Sequence, residues 1–161
     1  MKLRSIALFL QKPFSKIVRT KQPNFVVGKN DPKGAYLRRW YLIPRNKFFN
    51  IYLHEFLRSD SDEALHDHPW WSLSLCVRGI LFEQFDNTPN RKVIRVGDVV
   101  FRKAATAHRI EVTSSPMYMT ALTLFITGPV VRVWGFWCAS GWKSYEEFLS
   151  KPGEVGKGCA D

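Results

Sequence analysis

Apolar and polar residues alternate along most of this chain, in short runs that end at turn-forming residues. From about residue 35 onward, turn signals separate the runs, as at Pro44-Arg45-Asn46, Gly97-Asp98 and Gly128-Pro129. Because successive side chains of a strand point to opposite faces, such alternation predicts strands with one buried face. The predicted strands are 35–43, 48–57, 71–78, 80–86, 91–96, 98–103, 108–113, 117–126 and 130–137. Many short strands at this spacing are typical of an all-β sandwich or barrel, not of a βαβ fold.

The first 34 residues do not follow this pattern. The apolar run at residues 6–10 is shorter than a secretory or membrane-spanning segment, so we expect a short helix or strand that docks on the barrel. Residues 20–34 contain two prolines and two glycines and are predicted to form a loop. No later stretch is apolar for long enough to cross a membrane, so we expect no membrane association.

The C-terminal end carries one helix signal. Ser144 followed three residues later by Glu147 is the signature of a capping box, which predicts a short helix that begins there. Residues 151–161, with three glycines, are predicted to be a flexible tail. The predicted organisation is a basic N-terminal segment over 1–34 that packs on the barrel, a barrel over 35–150, and this tail.

Composition indicates a single globular domain. The chain has 161 residues, of which 45% are hydrophobic and 14% aromatic, enough to bury a substantial core. Its three cysteines, Cys76, Cys138 and Cys159, are odd in number and far apart. That usage argues against a disulfide framework and favours a reducing compartment, so we predict a cytoplasmic protein. Cys76, in an apolar strand, is interpreted as a small core residue.

The formal net charge of +10 is concentrated at the N-terminal end. Residues 1–50 contain twelve Lys or Arg residues and a single acid, Asp31, whereas residues 51–161 are nearly neutral. A basic segment attracts nucleic acid, anionic lipid or a small anionic ligand. Since no nucleic-acid-binding motif accompanies it, a solvated face is the favoured interpretation and nucleic-acid binding is the alternative.

The candidate chemistry lies in four histidines, His54, His66, His68 and His108. One residue separates His66 from His68, so in a strand both imidazoles point to the same face. A third imidazole from a neighbouring strand would complete a metal site, and His108 is the candidate. An isolated His-x-His pair is common in proteins that bind no metal, so the surrounding residues decide the interpretation.

The residues after His66 and His68 have a regular spacing. Three residues follow the pair, then Ser72, then six residues, then Gly79. This stretch resembles the first motif of the cupin family, in which a glutamate stands at the position of Ser72. The glycine that opens the family motif is absent here.

A second stretch resembles the second cupin motif. Gly97 is followed by Lys103, Ala105 and His108 at the family's spacing, with Lys103 and Ala105 in place of the family's proline and glycine. The flanking strand pattern extends the resemblance to residues 35–137. The chain also looks like small cupin-like proteins of phages and bacteria, most of which have no assigned activity.

The resemblance implies a single-domain antiparallel jelly-roll β-barrel with a short C-terminal helix. It also implies a divalent transition metal held by His66, His68 and His108, with Fe(II) favoured and Zn, Ni or Mn as alternatives. Because Ser72 replaces the glutamate ligand, the site would keep the full charge of the ion and favour an anionic ligand. Asp67 points away from the histidines in a regular strand, and is expected at the surface or in support of a ligand.

Strand parity from His68 divides the next strand into two faces. The face shared with the histidine is the more polar one and carries Trp70, Ser72, Ser74 and Cys76. The opposite face is an aliphatic stripe of Leu73, Leu75 and Val77. Such a stripe is rarely exposed on a monomer, so we expect it to lie under the N-terminal segment or, the favoured option, under a second subunit of a homodimer.

Two functional hypotheses follow. The favoured one is a metal-dependent enzyme, resembling the three-histidine Fe(II) dioxygenases, that acts on a small anionic molecule. In it Ser72 and Ser74 orient the substrate and Trp70 forms a wall of the site. Tyr52 or His54 moves protons. His54 could instead be a fourth metal ligand, and it is equally interpretable as a hydrogen-bonded histidine buried between strands. The alternative is a non-catalytic barrel that binds a small anion, such as a nucleotide or phosphorylated metabolite, assisted by the basic N-terminal third.

Overall fold

The computed structural model describes residues 3–60, 64–85, 90–113, 120–149 and 158–159. The helices of these residues are α1, Arg4–Thr20, and α2, Tyr145–Phe148. The strands are β1 Phe25–Val27, β2 Leu37–Tyr41, β3 Asn50–Phe56, β4 Leu65–His66, β5 Ser72–Arg78, β6 Leu81–Gln84, β7 Lys92–Ile94, β8 Val99–Arg102, β9 Arg109–Val112, β10 Ala121–Thr127, β11 Gly135–Cys138 and β12 Gly141–Ser144. Residues 86 and 117–119, which the sequence assigns to strands, lie outside the described residues.

The strands of the described residues form three sheets in which every pairing is antiparallel. The largest sheet has the order β1-β2-β3-β10-β5-β8, and the two smaller sheets have the orders β12-β11-β4 and β7-β6-β9. A β-bridge between His66 and His108 links the two smaller sheets. The predicted antiparallel jelly-roll β-barrel with a short C-terminal helix is confirmed.

Alternation along the six-stranded sheet separates two hydrophobic layers. Its inward-facing residues pack against β6, β7 and β9 and include Leu37, Phe56, Cys76, Val100 and Ala121. Its outward-facing residues pack under α1 and include Trp40, Leu53, Leu75, Val77 and Leu122. The parity expected for β5 agrees with this arrangement, because Cys76 is in the barrel core and Leu75 and Val77 face the other way.

Helix α1 covers the outer face of β5. Its Ala7 and Phe14 are buried in the same cluster as Leu75 and Val77. Burial of an aliphatic side chain in this way contributes about 1.5–3 kcal/mol to folding. Leu75 and Val77 therefore need no second subunit to cover them, whereas Leu73 is half-buried and lies outside this cluster. The part of the stripe under α1 gives the predicted homodimer no support.

Helix α1 is longer than the short element expected from residues 6–10. It continues through Pro13, which removes a backbone hydrogen bond and costs about 3 kcal/mol or more inside a helix. Leu10, Phe14 and Ile17 recur at three- to four-residue intervals and all pack on the sheet. Burial of this face outweighs the local cost of the proline.

Other short elements also depart from the prediction. Strand β1 lies in the segment predicted as a loop and pairs with β2, with Val26 opposite Arg38. Strands β4 and β12 are likewise outside the predicted set. The predicted capping box at α2 is confirmed, since Ser144 N donates to Glu147 Oε2 (2.8 Å) and Ser144 Oγ accepts from Glu147 N (3.3 Å).

The expectation that the cysteines form no disulfide is wrong for one pair. Cys138, at the end of β11, is bonded to Cys159. Only the tertiary fold returns residue 159 to β11, so a separation of 21 residues could not predict the pair. The rest of the predicted tail, 151–157 and 160–161, lies outside the described residues. Cys76 is a buried free thiol, and burial raises its pKa to about 12, as fits a core residue.

Among the described residues, neither helix is long and apolar enough to cross a membrane.

Candidate metal centre

A cavity of about 450 Å³ lies between the inner face of the six-stranded sheet and the two smaller sheets. Its walls are largely apolar and include Phe25, Phe56, Phe125, Trp134 and Phe136. The polar side chains that line it include His54, His66, His68, His108, Arg39 and Arg102. An apolar cavity with a few convergent polar groups is typical of a small-molecule site.

The structure brings three of the four histidines together. His66 is on β4, His68 follows two residues later, and His108 directly precedes β9. Backbone hydrogen bonds in both directions between His66 and His108 (2.9 Å each) hold the two segments side by side. One ring nitrogen from each of the three residues lies within 4.8 Å of the others.

The spacing of these nitrogens suits a shared ion. The Nε2 atoms of His68 and His108 are 2.9 Å apart. Two histidine nitrogens that bind one ion at right angles, each at about 2.0–2.1 Å, are separated by about 2.9 Å. Burial, reinforced by the neighbouring histidines and Arg102, holds the pKa of His68 and His108 well below the usual value. Both rings are therefore neutral near pH 7, which is the form that binds metals.

Glu83 is a supporting residue that sequence reasoning missed. It is fully buried on β6, and its Oε1 lies 2.6 Å from Nδ1 of His108. This carboxylate holds the imidazole proton on Nδ1 and leaves the Nε2 lone pair facing the other histidines. A sequence signal existed: Glu83 alternates with the inward-facing Leu81, which places a charged residue on the core face of a strand.

Arg102 connects Glu83 to Ser74. Its Nε donates to Glu83 Oε1 and its Nη1 donates to Ser74 Oγ (2.9 Å), and all three side chains are buried. Ser74 lines the cavity, as its predicted contact with substrate requires, but its hydroxyl already accepts this hydrogen bond. Ser72 is fully buried and does not line the cavity. Trp70 does line it, and its ring stacks on His68 with centroids 6.0 Å apart.

Asp67 points away from the histidines, but it is not a surface residue. It is fully buried and accepts hydrogen bonds from Gly135 N (2.9 Å), Trp137 Nε1 (3.3 Å) and Trp142 Nε1 (3.1 Å). Its Oδ2 also pairs with Arg132 (2.7 Å). Of the two positions expected for Asp67, the one at the surface is therefore wrong: Asp67 anchors β11 and β12 behind the histidine segment. The burial of Asp67 was not evident from the sequence, because the groups that donate hydrogen bonds to it come from residues about 70 positions later.

His54 lies on the cavity wall next to an arginine that was not predicted as a site residue. Its Nε2 accepts a hydrogen bond from Arg39 Nε (2.8 Å), and its ring stacks on Phe125 with centroids 4.6 Å apart. Burial, followed by the charges of Arg39 and His68, lowers the pKa of His54 well below its usual value. Tyr52 is buried behind this pair, under the Arg39 guanidinium, and does not line the cavity.

Comparison with solved structures finds the same architecture in other proteins. The chain is similar to a candidate mannose-6-phosphate isomerase from Ralstonia eutropha JMP134, with a TM-score of 0.51 and 17% identity over 58% of this chain and 85% of that one. It is also similar to EutQ of Clostridium difficile, with a TM-score of 0.52 and 12% identity over 71% of this chain and 84% of that one. This is the cupin fold.

A third structure with the cupin fold, that of FeII HppE, has a TM-score of 0.52 and 13% identity to this chain. The similarity covers 64% of this chain and 55% of HppE. At sequence identities of 12–17%, the similarity to these three structures shows a shared fold. No family model matches the sequence, and no curated protein matches it.

Proposed function

We propose that this protein is a metal-dependent enzyme with a cupin fold, which holds a divalent transition metal through His66, His68 and His108 and acts on a small anionic molecule. The observation that carries the proposal is the convergence of three imidazoles on a cavity with room for a substrate beside them. A barrel that only captured an anion could do so with Arg and Lys and would not need three convergent histidines.

The donor set fits a transition metal. Imidazole nitrogens suit Fe, Zn, Ni and Cu, and three protein ligands leave coordination positions open. Glu83 supplies the carboxylate behind His108 that such sites commonly have. We favour Fe(II) and a dioxygenase-type reaction, and HppE is an example of an Fe(II) protein with this fold; Zn, Ni and Mn are the alternatives. Once bound, the ion would supply Lewis-acid activation and, as iron, redox chemistry with dioxygen.

The cavity residues have distinct proposed roles. Trp70 and Ser74 line the cavity and are proposed to orient the substrate, whereas Ser72 would act only as buried support. His54 lines the cavity and Tyr52 does not, so His54 is the better-placed group to hold or move a proton. Because Nε2 of His54 accepts from Arg39, the proton of the neutral ring is on Nδ1.

A second candidate function is non-catalytic binding of a small anion, such as a nucleotide or phosphorylated metabolite. It is favoured by the arginines that line the cavity and by Ser72 at the position of the family's glutamate ligand. Within the basic N-terminal third, Arg39 faces the cavity and could contribute to anion binding, whereas Arg38 pairs with Glu55. Nucleic-acid binding stays an unfavoured prediction.

Metal analysis of the purified protein tests the proposal. The wild type should bind about one equivalent of a divalent transition metal, and the His66→Ala/His108→Ala double variant should bind none. His54→Gln is the matched control, because it removes a cavity histidine outside the cluster and should leave metal content unchanged. Mass spectrometry of co-purified molecules would identify the ligand. Retained ligand binding by a metal-free double variant would instead establish the binding function. A wild type that takes up no metal would refute the metal-dependent enzyme.

Two further predictions are unaffected by this experiment. The cytoplasmic location rests on sparse cysteine usage, and the Cys138–Cys159 disulfide removes much of that argument. The homodimer would need an interface other than the outer face of β5, which α1 covers. We therefore give neither a role in the proposed function.

A further inference from the structure

The arginines that line the cavity differ in how their charge is balanced. Arg58 pairs with Asp31, and Arg102 pairs with Glu83. No carboxylate of the described residues lies within ion-pair distance of Arg39. Arg39 is thus the cavity arginine whose charge the described residues leave uncompensated.

Arg39 is also held in a defined orientation. It lies on the same face of β2 as Leu37, which is part of the barrel core. Its Nε donates to His54 Nε2 (2.8 Å), and its guanidinium lies over the rings of Tyr52 (4.9 Å) and Phe25 (5.8 Å). Its two terminal amino groups donate no hydrogen bond to the described residues. A fixed planar group with both terminal nitrogens available is suited to bidentate binding of a carboxylate.

An uncompensated cation at this depth is energetically unfavourable. Arg39 is half-buried, and this burial lowers the pKa of its guanidinium below the usual value. Charges that are removed from water in proteins are normally paired, because the loss of hydration is unfavourable. An anionic ligand would supply the missing counter-charge.

The surface next to Arg39 is apolar and leads to the histidine cluster. Phe56 and Phe125 contact His54, with ring centroids 6.1 and 4.6 Å from that of the imidazole. Arg39 and His68 both line this cavity, so the two residues face the same space. A ligand bound at Arg39 would therefore lie between aromatic rings and close to the histidines.

We propose that Arg39 binds the carboxylate of a small organic acid whose apolar body lies against Phe56 and Phe125, beside the three histidines. The inference deepens the proposed function and rests on it for the chemistry of the acid, although binding itself needs no metal. A carboxylate is favoured over a phosphate because one uncompensated cation matches one negative charge. Trp70 Nε1 and Thr123 Oγ1 are buried at the wall without a hydrogen-bond partner among the described residues, as expected where a ligand completes the site.

Calorimetric titration of metal-free protein with three related probes tests the inference. Benzoate carries the carboxylate, benzyl alcohol is a neutral analogue of similar shape, and phenyl phosphate carries the alternative anion. Without metal, no probe can gain affinity by coordinating an ion. Wild-type protein should bind benzoate about 10- to 100-fold more tightly than benzyl alcohol, the ratio expected for a charge-assisted bidentate contact.

Variants of neighbouring arginines locate the effect. Arg39→Gln should abolish the preference for benzoate, and Arg39→Lys should retain part of it, because lysine keeps the charge but not the planar fork. Arg38→Gln is the matched control: it removes a positive charge from the adjacent residue, which faces outward and pairs with Glu55. This control should bind benzoate as the wild type does. Circular dichroism checks that each variant is folded. If Arg39→Gln does not fold, the reduced preference of Arg39→Lys for benzoate provides the test.

The outcomes separate this inference from the proposed function. Equal affinity of the wild type for benzoate and benzyl alcohol, or an unchanged preference in Arg39→Gln, would overturn it. Tighter binding of phenyl phosphate than of benzoate would overturn the carboxylate assignment. Metal content is measured in parallel and should be the same in the Arg39 variants as in the wild type. A wild type without metal whose benzoate binding depends on Arg39 would refute the metal-dependent enzyme and support the acid site.

Discussion

Replacement of Glu83 by glutamine tests the support of the metal centre. Oε1 of this buried carboxylate contacts both His108 Nδ1 (2.6 Å) and the Arg102 side chain. Glutamine keeps the shape of the side chain but loses its charge. Arg102 would become a buried cation without a counter-charge, and His108 would lose the acceptor that holds its proton on Nδ1.

Two magnitudes follow from this geometry. Loss of the group that orients a metal-binding histidine typically lowers metal affinity by about 10- to 100-fold. Removal of one partner from a buried ion pair costs about 3–5 kcal/mol. The side chains of Glu83 and Arg102 are 0% and 5% exposed, so solvent screens this pair little. Because the glutamine oxygen can still accept one hydrogen bond, we expect the lower end, about 3 kcal/mol.

Metal affinity is measured by competition with a chromophoric chelator, and stability by urea unfolding of the metal-free protein. Glu55→Gln is the matched control, because Glu55 is also buried and pairs with Arg38 and Arg78, but on the outer face of β3. The control should lose stability and keep its metal affinity. Wild-type metal affinity in Glu83→Gln, or an equal loss of affinity in Glu55→Gln, would refute the argument that Glu83 acts through His108.

Three other predictions concern stability. Burial depresses the pKa of His68 and His108, so below about pH 6.5 the unfolded chain binds protons that the folded chain does not. The stability of metal-free protein should therefore fall as the pH drops through that value, and equal urea midpoints at about pH 7.5 and about pH 5.5 would contradict this. Asp67→Asn weakens hydrogen bonds to a charged, buried acceptor and should lower the free energy of unfolding by about 1.5–3 kcal/mol. The near-UV dichroism of the tryptophans should also change. Wild-type stability and dichroism would show that Asp67 does not anchor these strands. Leu75→Glu buries a carboxylate under α1 and should lower the urea midpoint of unfolding. The control Leu8→Glu, on the exposed side of α1, should not lower it. If Leu75→Glu instead halved the mass measured by light scattering and left stability unchanged, a homodimer through this face would be favoured.

Properties that depend on residues a few positions apart could be predicted from the sequence. Alternation determined where most strands lie and that Cys76 and Leu75 face opposite layers, because side-chain direction repeats every two residues. The same geometry placed His66 and His68 on one side of the chain. The capping box of Ser144 is equally local, since both of its hydrogen bonds span three residues. The spacing of His108, which resembles that of the second cupin motif, predicted the one distant member of the proposed metal centre.

The remaining parts of the site depend on which distant strands become neighbours. Pairing of β6 with β9 brings Glu83 to His108, and pairing of β2 with β3 sets Arg39 opposite His54. Docking of α1 on β5 and the return of Cys159 to β11 are also contacts between separate parts of the chain. Alternation shows that a strand has two faces but not which neighbour each face meets. Strand order and register decide that, through burial summed over the whole barrel, and no short window of sequence contains this information.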